Sequence, residues 1–567
     1  MKQSLLILFL ICSLFSNAQT GWKWGTGSGL TSNGDVEAGF LAVGKAGALY
    51  TAGNNMGGDS ILFGTLAIHN PGHFQQLFLT RSDSSGFMWV KCTQGGPSWP
   101  LGVATDDSGF IYVLAWTNSA VTIDTFHISQ PGATASYSYL VKVAPSGGIV
   151  WAKAIDLSVG YAGLCTDHNG NSYISGGFSG TSFNVDAISL SRIGTQFNLC
   201  LLKIDRSGTA VSAKNFGTNI LNSGRPVLSE GNVYVAGYIH SGGAATFGSI
   251  VLPDTFPTIP GAPQDPYFIA KLDSNFTPVW AKEFERHVRI NKITADVNGA
   301  VYYTGYTDSA CVIGTTALPY YGGKDIIIGK LSPAGDFSWE KEIGGTSSDI
   351  GYDITTDLCG NSWISCQMGN FFPSVDSYVV NFNGVAVTMP YAHKFDPVLL
   401  AEYDPLGNNI NYKELYSGGD DYSAIVSDNN GSFYFCGDYY GTSLIIGPDS
   451  LPNPPIGECL VLAKYTYDLA GCVSLNTSDQ GKGSADDNIK LYPNPAYSDC
   501  FIATSDPFGA GASIKLYDVT GRLLKTVSLS GNAAAINLDG LTNGVYQCII
   551  DMGKAHEVVT RKLVVIR

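Results

Sequence analysis

Charge is scarce in this chain. Of 567 residues only 14% are Asp, Glu, Lys or Arg, and 47 acids outnumber 32 Lys and Arg. A formal net charge of −15 opposes contact with nucleic-acid phosphates or an anionic membrane surface, because such binding rests on clustered Lys and Arg. Neither a basic patch nor a charge run is present, so nucleic acid is excluded as a partner. No C-x-x-C pair occurs and no His/Cys cluster has metal-ligand spacing, which leaves no metal and no cofactor to assign. His69 and His73 are four apart, but Asn70-Pro71-Gly72 between them forbids the helix that would put both on one face. A G-x-S-x-G elbow, a P-loop and an H-E-x-x-H helix are missing too, so no catalytic residue is assigned. Long apolar runs are absent except at the start. There Met1-Lys2, the run Leu5 to Leu14 and Ser16-Asn17-Ala18 before Gln19 form a signal peptide over residues 1–18. That run is shorter than the roughly 20 residues a spanning helix needs. Cys12 lies inside it behind Ile11, which is the wrong setting for a lipoprotein. Export across the inner membrane follows, with no transmembrane segment left after cleavage.

What is plentiful is Gly, Tyr and Phe (68, 30 and 27 residues), a composition for short strands and tight turns. The chain exceeds the roughly 250–300 residues one hydrophobic core can serve, so it needs several domains or repeats. A repeat is there. A Gly, an aromatic three positions on and a small residue three further recur seven times, from Gly47-Tyr50-Gly53 to Gly431-Tyr434-Gly437, with a period of 61 to 71 residues. In five instances an Asp stands three residues before the Gly (Asp106, Asp167, Asp296, Asp357, Asp428), as a hairpin turn needs when a carboxylate caps backbone N–H groups. A second hairpin follows each, ending in Trp-x-Lys, as in Trp151-Ala152-Lys153, Trp280-Ala281-Lys282 and Trp339-Glu340-Lys341. Two hairpins per period predict four strands, the blade of a β-propeller. The seventh period lacks its Trp-x-Lys strand, whereas Gly21-Trp22-Lys23-Trp24-Gly25 precedes any complete repeat. The N-terminus is therefore expected to supply the last sheet's missing strand, giving a seven-bladed propeller over residues 19–474.

The segments Thr105 to Trp116, Thr166 to Phe178 and Ala295 to Tyr306 resemble the bacterial β-propeller repeats of the SBBP type. That resemblance implies a fold and no activity. Ser82 to Trp89 is similar to the Asp-box of sialidases, but its Asp-to-Gly spacing is one residue too long, and it reads as a hairpin turn. The longest periods put their extra length in Ser241 to Pro266 and Asn370 to Pro397, on the face opposite the tight turns. Phe371, Phe372, Tyr391 and His393 lie there, with Asp420 and Asp421 in a nearby connection, and these six are the candidate ligand-binding residues. Asp349 and Asp353 read as solvated loop carboxylates. Eleven cysteines remain after cleavage and most read as small buried residues, with a Cys500 to Cys548 bridge as one open pairing.

Residues 475–487 read as a polar linker and 488–567 as a small Ig-like sandwich of short alternating strands, so the chain is all-β throughout. Leu491-Tyr492-Pro493-Asn494-Pro495, Ile514 to Leu524, Gly544 to Ile550 and Lys562 to Arg567 closely resemble, in this order, the type IX secretion C-terminal sorting domain, type A. The resemblance implies passage through the periplasm, recognition by the outer-membrane translocon, removal of the domain, and in many relatives attachment to surface lipopolysaccharide. By analogy Tyr492, Pro493, Asn494 and Pro495, with Lys562, Leu563, Val564 and Val565, carry the sorting signal. The leading reading is a secreted or cell-surface, non-catalytic protein that binds a glycan or protein partner in adhesion. A secreted carbohydrate-active hydrolase or lyase with its site in the propeller channel is the alternative, and a passive spacer the third.

Overall fold

Apolar positions alternating between tight turns make strands, and the computed structural model of the chain is all-β, with one 3-10 turn at Lys45–Gly47. It describes residues 21–565 except 31–34, 57–59, 71–73, 132–135, 158–161, 179, 194–197, 217–219, 223, 241–244, 254–255, 257–264, 370–376, 391–396, 416–422, 430, 440–442, 453–456, 468–488, 493–495, 497–498, 505–506, 510, 518–522, 543 and 554–557.

Each repeat lays down an antiparallel sheet whose main strands neighbour one another in chain order; the second, for instance, is Ser98–Thr105, Ile111–Thr117, Tyr137–Val143 and Ile149–Ile155. The opening strands of the repeats are Asp35–Val43, Ser98–Thr105, Gly163–Thr166, Val227–Ser229, Val288–Ala295, Asp349–Thr356 and Ala424–Ser427. They pack against one another in that order, and Ala424–Ser427 packs against Asp35–Val43. None of the described sheets closes on itself. The last repeat contributes Ala424–Ser427, Ser432–Tyr439 and Cys459–Thr466, and its fourth strand is Gly21–Leu30, antiparallel to Cys459–Thr466 with Gly21 opposite Thr466 and Gly27 opposite Val461. The N-terminal strand lies where the missing Trp-x-Lys strand placed it.

The repeat's signature residues join one sheet to the next. The indole N–H of Trp89, Trp151, Trp280 and Trp339 donates to the carbonyl of Pro145, Arg206, Pro333 and Pro405, each in a turn of the following repeat, at 3.0–3.3 Å. Gly335 shows why that turn needs glycine: its φ is +86°, and a Cβ would lie 2.7 Å from the Trp280 ring. The Lys of the third strand lies over the repeat's Tyr, as Lys330 does over Tyr302 at 4.8 Å, and donates to the same neighbouring carbonyl, Pro405, at 3.3 Å. The Asp turns form as expected, with the Asp106 Oδ1 accepting the N–H groups of Ser108 and Phe110, both at 2.9 Å. Asp83 likewise accepts from the Ser85 N–H at 2.8 Å inside its hairpin, so the segment similar to an Asp-box is a turn.

Three expectations are corrected. The repeats carry six strands rather than four, because a short hairpin sits between the second and third, as in Val121–Ile123 with Phe126–Ile128. The Val121–Ile123 hairpin adds to the outer strand of the preceding sheet, Gly86–Gly95, covering an edge that would otherwise present unpaired backbone groups. Lys91 of that outer strand pairs with the hairpin's turn residue, Asp124, at 2.8 Å. Asp349 and Asp353 are buried rather than solvated, since backbone N–H groups solvate them instead: Gly345 and Gly369 donate to Asp349, Ile354 and Ile425 to Asp353. Cys500 and Cys548 are buried thiols rather than a bridge, and burial lifts the Cys548 thiol to about 12. Cys359 is disulfide-bonded.

Near the C-terminus, Ile489–Tyr492, Asp499–Thr504 and Ala533–Asn537 form one sheet, and Leu523–Ser528, Ser513–Tyr517, Gly544–Asp551 and Val558–Val565 another. Cys500, Ile502, Ile514, Leu516, Ile550 and Leu563 from both sheets share one core.

Candidate functional site

A cavity of about 740 Å³ lies where the opening strands converge. Gly39, Leu101, Ala162, Gly224, Asn291, Tyr352 and Ser423 all line it, one from each repeat. Each stands three residues before the one paired opposite its repeat's aromatic, as Leu101 does before Ala104 and Gly224 before Val227. They are the same structural position seen seven times. The backbone device that exposes it is a β-bulge. Register shifts leave Gly39, Leu101, Asn291 and Tyr352 as the extra residue of their strands, and an extra residue re-aims its side chain away from the ladder.

Around this ring the walls are aromatic, with Phe40, Trp99, Trp116, Tyr306 and Tyr352. Trp99 and Trp116 face each other across paired strands, ring centroids 4.6 Å apart. The Tyr352 hydroxyl donates to Gln367 at 2.7 Å, and the Asn291 amide donates to the Gly351 carbonyl at 2.9 Å, fixing both side chains. Lys292 comes from the fifth repeat, yet its Nζ stands 5.7 Å from the ring centroid of Phe40 in the first. Burial lowers the Lys292 pKa, the nearby Arg225 charge lowers it further, and Asp353 at 3.9 Å opposes both. Among the described lining residues Glu37 is the only carboxylate.

None of the residues singled out from the sequence is among the described lining residues. Phe371, Phe372, Tyr391, His393, Asp420 and Asp421 lie outside the described residues. Tyr492 ends a strand, Pro493, Asn494 and Pro495 lie outside the described residues, and Lys562 to Val565 belong to the last strand, with Leu563 and Val565 buried. Sequence reasoning missed the cavity residues because the ring shares a position and not a residue type. The offset from the repeat Gly, eight residues in six repeats and seven in the fourth, was the available signal.

A second acidic cluster is structural. Glu342 is fully buried with both carboxylate oxygens unpartnered, and burial first, then Asp325 and Asp349, push its pKa up to about 9. Burial also raises Asp325 to about 6. A carboxyl raised on folding holds a proton that the unfolded chain releases, so the stability it leaves intact in acid is lost as pH rises from about 4.5 through about 9. Glu342→Gln removes that titration. The variant is expected to gain about 3 kcal/mol over the parent at pH 7 and little at pH 4.5, read from denaturant unfolding at both values. Equal gains at both would show that the carboxyl is not titrating there.

Residues 490–566 match the family model described as a secretion system C-terminal sorting domain. The chain carries a sorting domain. This domain marks the protein for secretion to the cell surface or beyond, and it coincides with the two C-terminal sheets and their shared core. No curated protein matches the chain. Among solved structures it is similar to BamB from Moraxella catarrhalis, at 10% identity, covering 69% of this chain and 89% of that one with a TM-score of 0.31. Virginiamycin B lyase from Staphylococcus aureus aligns at 10% identity over 78% and 99% of the two chains, TM-score 0.36. PorZ of Porphyromonas gingivalis, a surface component of the type IX secretion system, aligns at 13% identity over 94% and 81%, TM-score 0.14. Scores this low say nothing about activity. Among the described residues no helix is long and apolar enough to cross a membrane, and no group of three or more His, Cys, Asp or Glu could hold a metal ion.

Proposed function

We propose that residues 19–474 form a seven-bladed β-propeller of SBBP-type repeats that binds a glycan or protein ligand outside the cell without transforming it. Residues 475–487 link it to an Ig-like sorting domain of type A at 488–567, which the type IX translocon reads through Tyr492 to Pro495 and Lys562 to Val565. The cycle of packed opening strands supports the propeller, since radial repetition is what brings the last strand back to the first. The observation that carries the binding reading is the cavity on that axis. Its lining is aromatic and amide-rich with a single described carboxylate, whereas acid–base glycoside hydrolysis needs two carboxyl groups about 5–10 Å apart.

The test is a glycan and surface-protein binding screen of the full chain, run beside a panel of glycoside hydrolase and lyase substrates. Retention of a ligand that is recovered intact is the expected result. Turnover of any substrate that stops on Glu37→Gln would replace this reading with the hydrolase one.

A further inference from the structure

We propose that the axial cavity takes an acidic saccharide, with Arg225 receiving its anionic group; this rests on the binding reading above. Two cations line the cavity, and they differ in what they face. Lys292 has the Asp353 carboxylate 3.9 Å away. Arg225 makes no hydrogen bond or ion pair with any described residue, although it is only partly exposed. A guanidinium at a cavity wall with no partner among the described residues presents a planar fork of donors, the geometry that a carboxylate or sulfate accepts in pairs.

The remaining lining chemistry narrows the ligand. Polar and aromatic side chains share the lining, with Asn54, Asn291 and Ser423 beside Phe40, Trp99 and Trp116, the mixture that suits a ligand with hydroxyl groups on an apolar ring face. The Trp99 and Trp116 rings, inclined at 50° to each other, each offer an apolar face of the kind on which the C–H face of a pyranose rests. At about 740 Å³ the space falls within the roughly 300–1,000 Å³ of small-molecule sites and is far too small for a folded protein partner. In a chain of net charge −15 a general field would repel acids, so recognition must come from these short-range contacts.

Titration calorimetry of the full chain with glucuronate-terminated and sulfated oligosaccharides, each against its neutral counterpart of equal length, tests this. The acidic forms are expected to bind at least about tenfold more tightly, the size of one charge-assisted hydrogen bond. Arg225→Ala is expected to abolish that preference while leaving the neutral affinity in place, and Arg225→Lys to keep part of it. Trp116→Ala removes the ring, and is expected to weaken acidic and neutral forms alike. Equal affinity for acidic and neutral forms, an unchanged preference in Arg225→Ala, or no binding of any acidic form would overturn the inference. If in those cases another ligand still binds and Trp116→Ala weakens it, only the acidic class is lost. A ligand indifferent to every lining substitution would remove the cavity as the site as well.

Discussion

A chain lacking residues 19–30 is expected to lose the fold of the whole repeat region, not merely to fray at one end. Gly21–Leu30 is the outer strand of the last sheet, and its far end also pairs with the hairpin strand Ser60–Phe63 of the first repeat. Trp22 packs edge-on against Tyr465 and Phe433, with centroids 5.2 and 6.1 Å away. Trp24 is buried in the same core. Polar ties join the ends as well, from the Gly25 N–H to Asp449 at 2.9 Å and from the Leu460 N–H to the Ser28 hydroxyl at 2.9 Å. Truncating one buried Trp costs about 3–5 kcal/mol, so Trp24→Ala alone should lower stability by that amount. Losing both indoles, the strand's ladder and its polar ties exceeds this, and net domain stability is only about 5–15 kcal/mol. The deletion would also bare the edge of Cys459–Thr466, a template for aggregation. Thermal unfolding and size-exclusion chromatography check the outcome: a soluble monomer with an unchanged melting temperature would count against it.

Removing residues 488–567 is expected to abolish surface delivery while leaving the repeat region folded in the periplasm. The sorting domain has its own core, in which Leu563 and Val565 of the last strand are fully buried. The terminal strand therefore serves the fold of the domain in addition to whatever the translocon reads. Leu563→Asp places an unpaired charge in that core and should unfold the domain, matching the deletion in its export defect. Protease shaving of intact cells, with immunoblots of periplasm and medium, separates the outcomes. Normal surface levels of the truncated chain would mean the domain is not the delivery signal.

How much of this was legible in the sequence depended on whether one residue type had one job. Asp106, Asp167 and Asp357 each cap a turn with the same two backbone bonds, so the carboxylate and the Gly that follows announce the hairpin. Trp280 and Trp339 repeat one contact in successive sheets, and their absence from the last repeat located the N-terminal strand. The inserted hairpins escaped because strands of three residues, such as Cys311–Ile313 and Thr316–Leu318, are too short to show a period of two. Their turns were marked only by a left-handed residue: Gly64, Asp124, Asp186, Gly248, Gly314, Asn383 and Gly447 all have φ between +49° and +61°. Asp349 and Asp353 misled because burial by backbone donors leaves no trace in composition. The cavity was hidden for a different reason. Seven repeats give one position each and fill it with Gly, Leu, Ala, Gly, Asn, Tyr and Ser, so what is common is a place in the register and, in four repeats, a bulge.

The account stands on the opening strands forming one closed circuit with the N-terminal strand completing the last sheet. An experimental electron-density map of the mature chain tests it most directly. The prediction is continuous density for Gly21–Leu30 alongside Cys459–Thr466, with Ala424–Ser427 packed on Asp35–Val43. A map with an open gap between those last two strands, or with Trp22 and Trp24 in solvent, would contradict it.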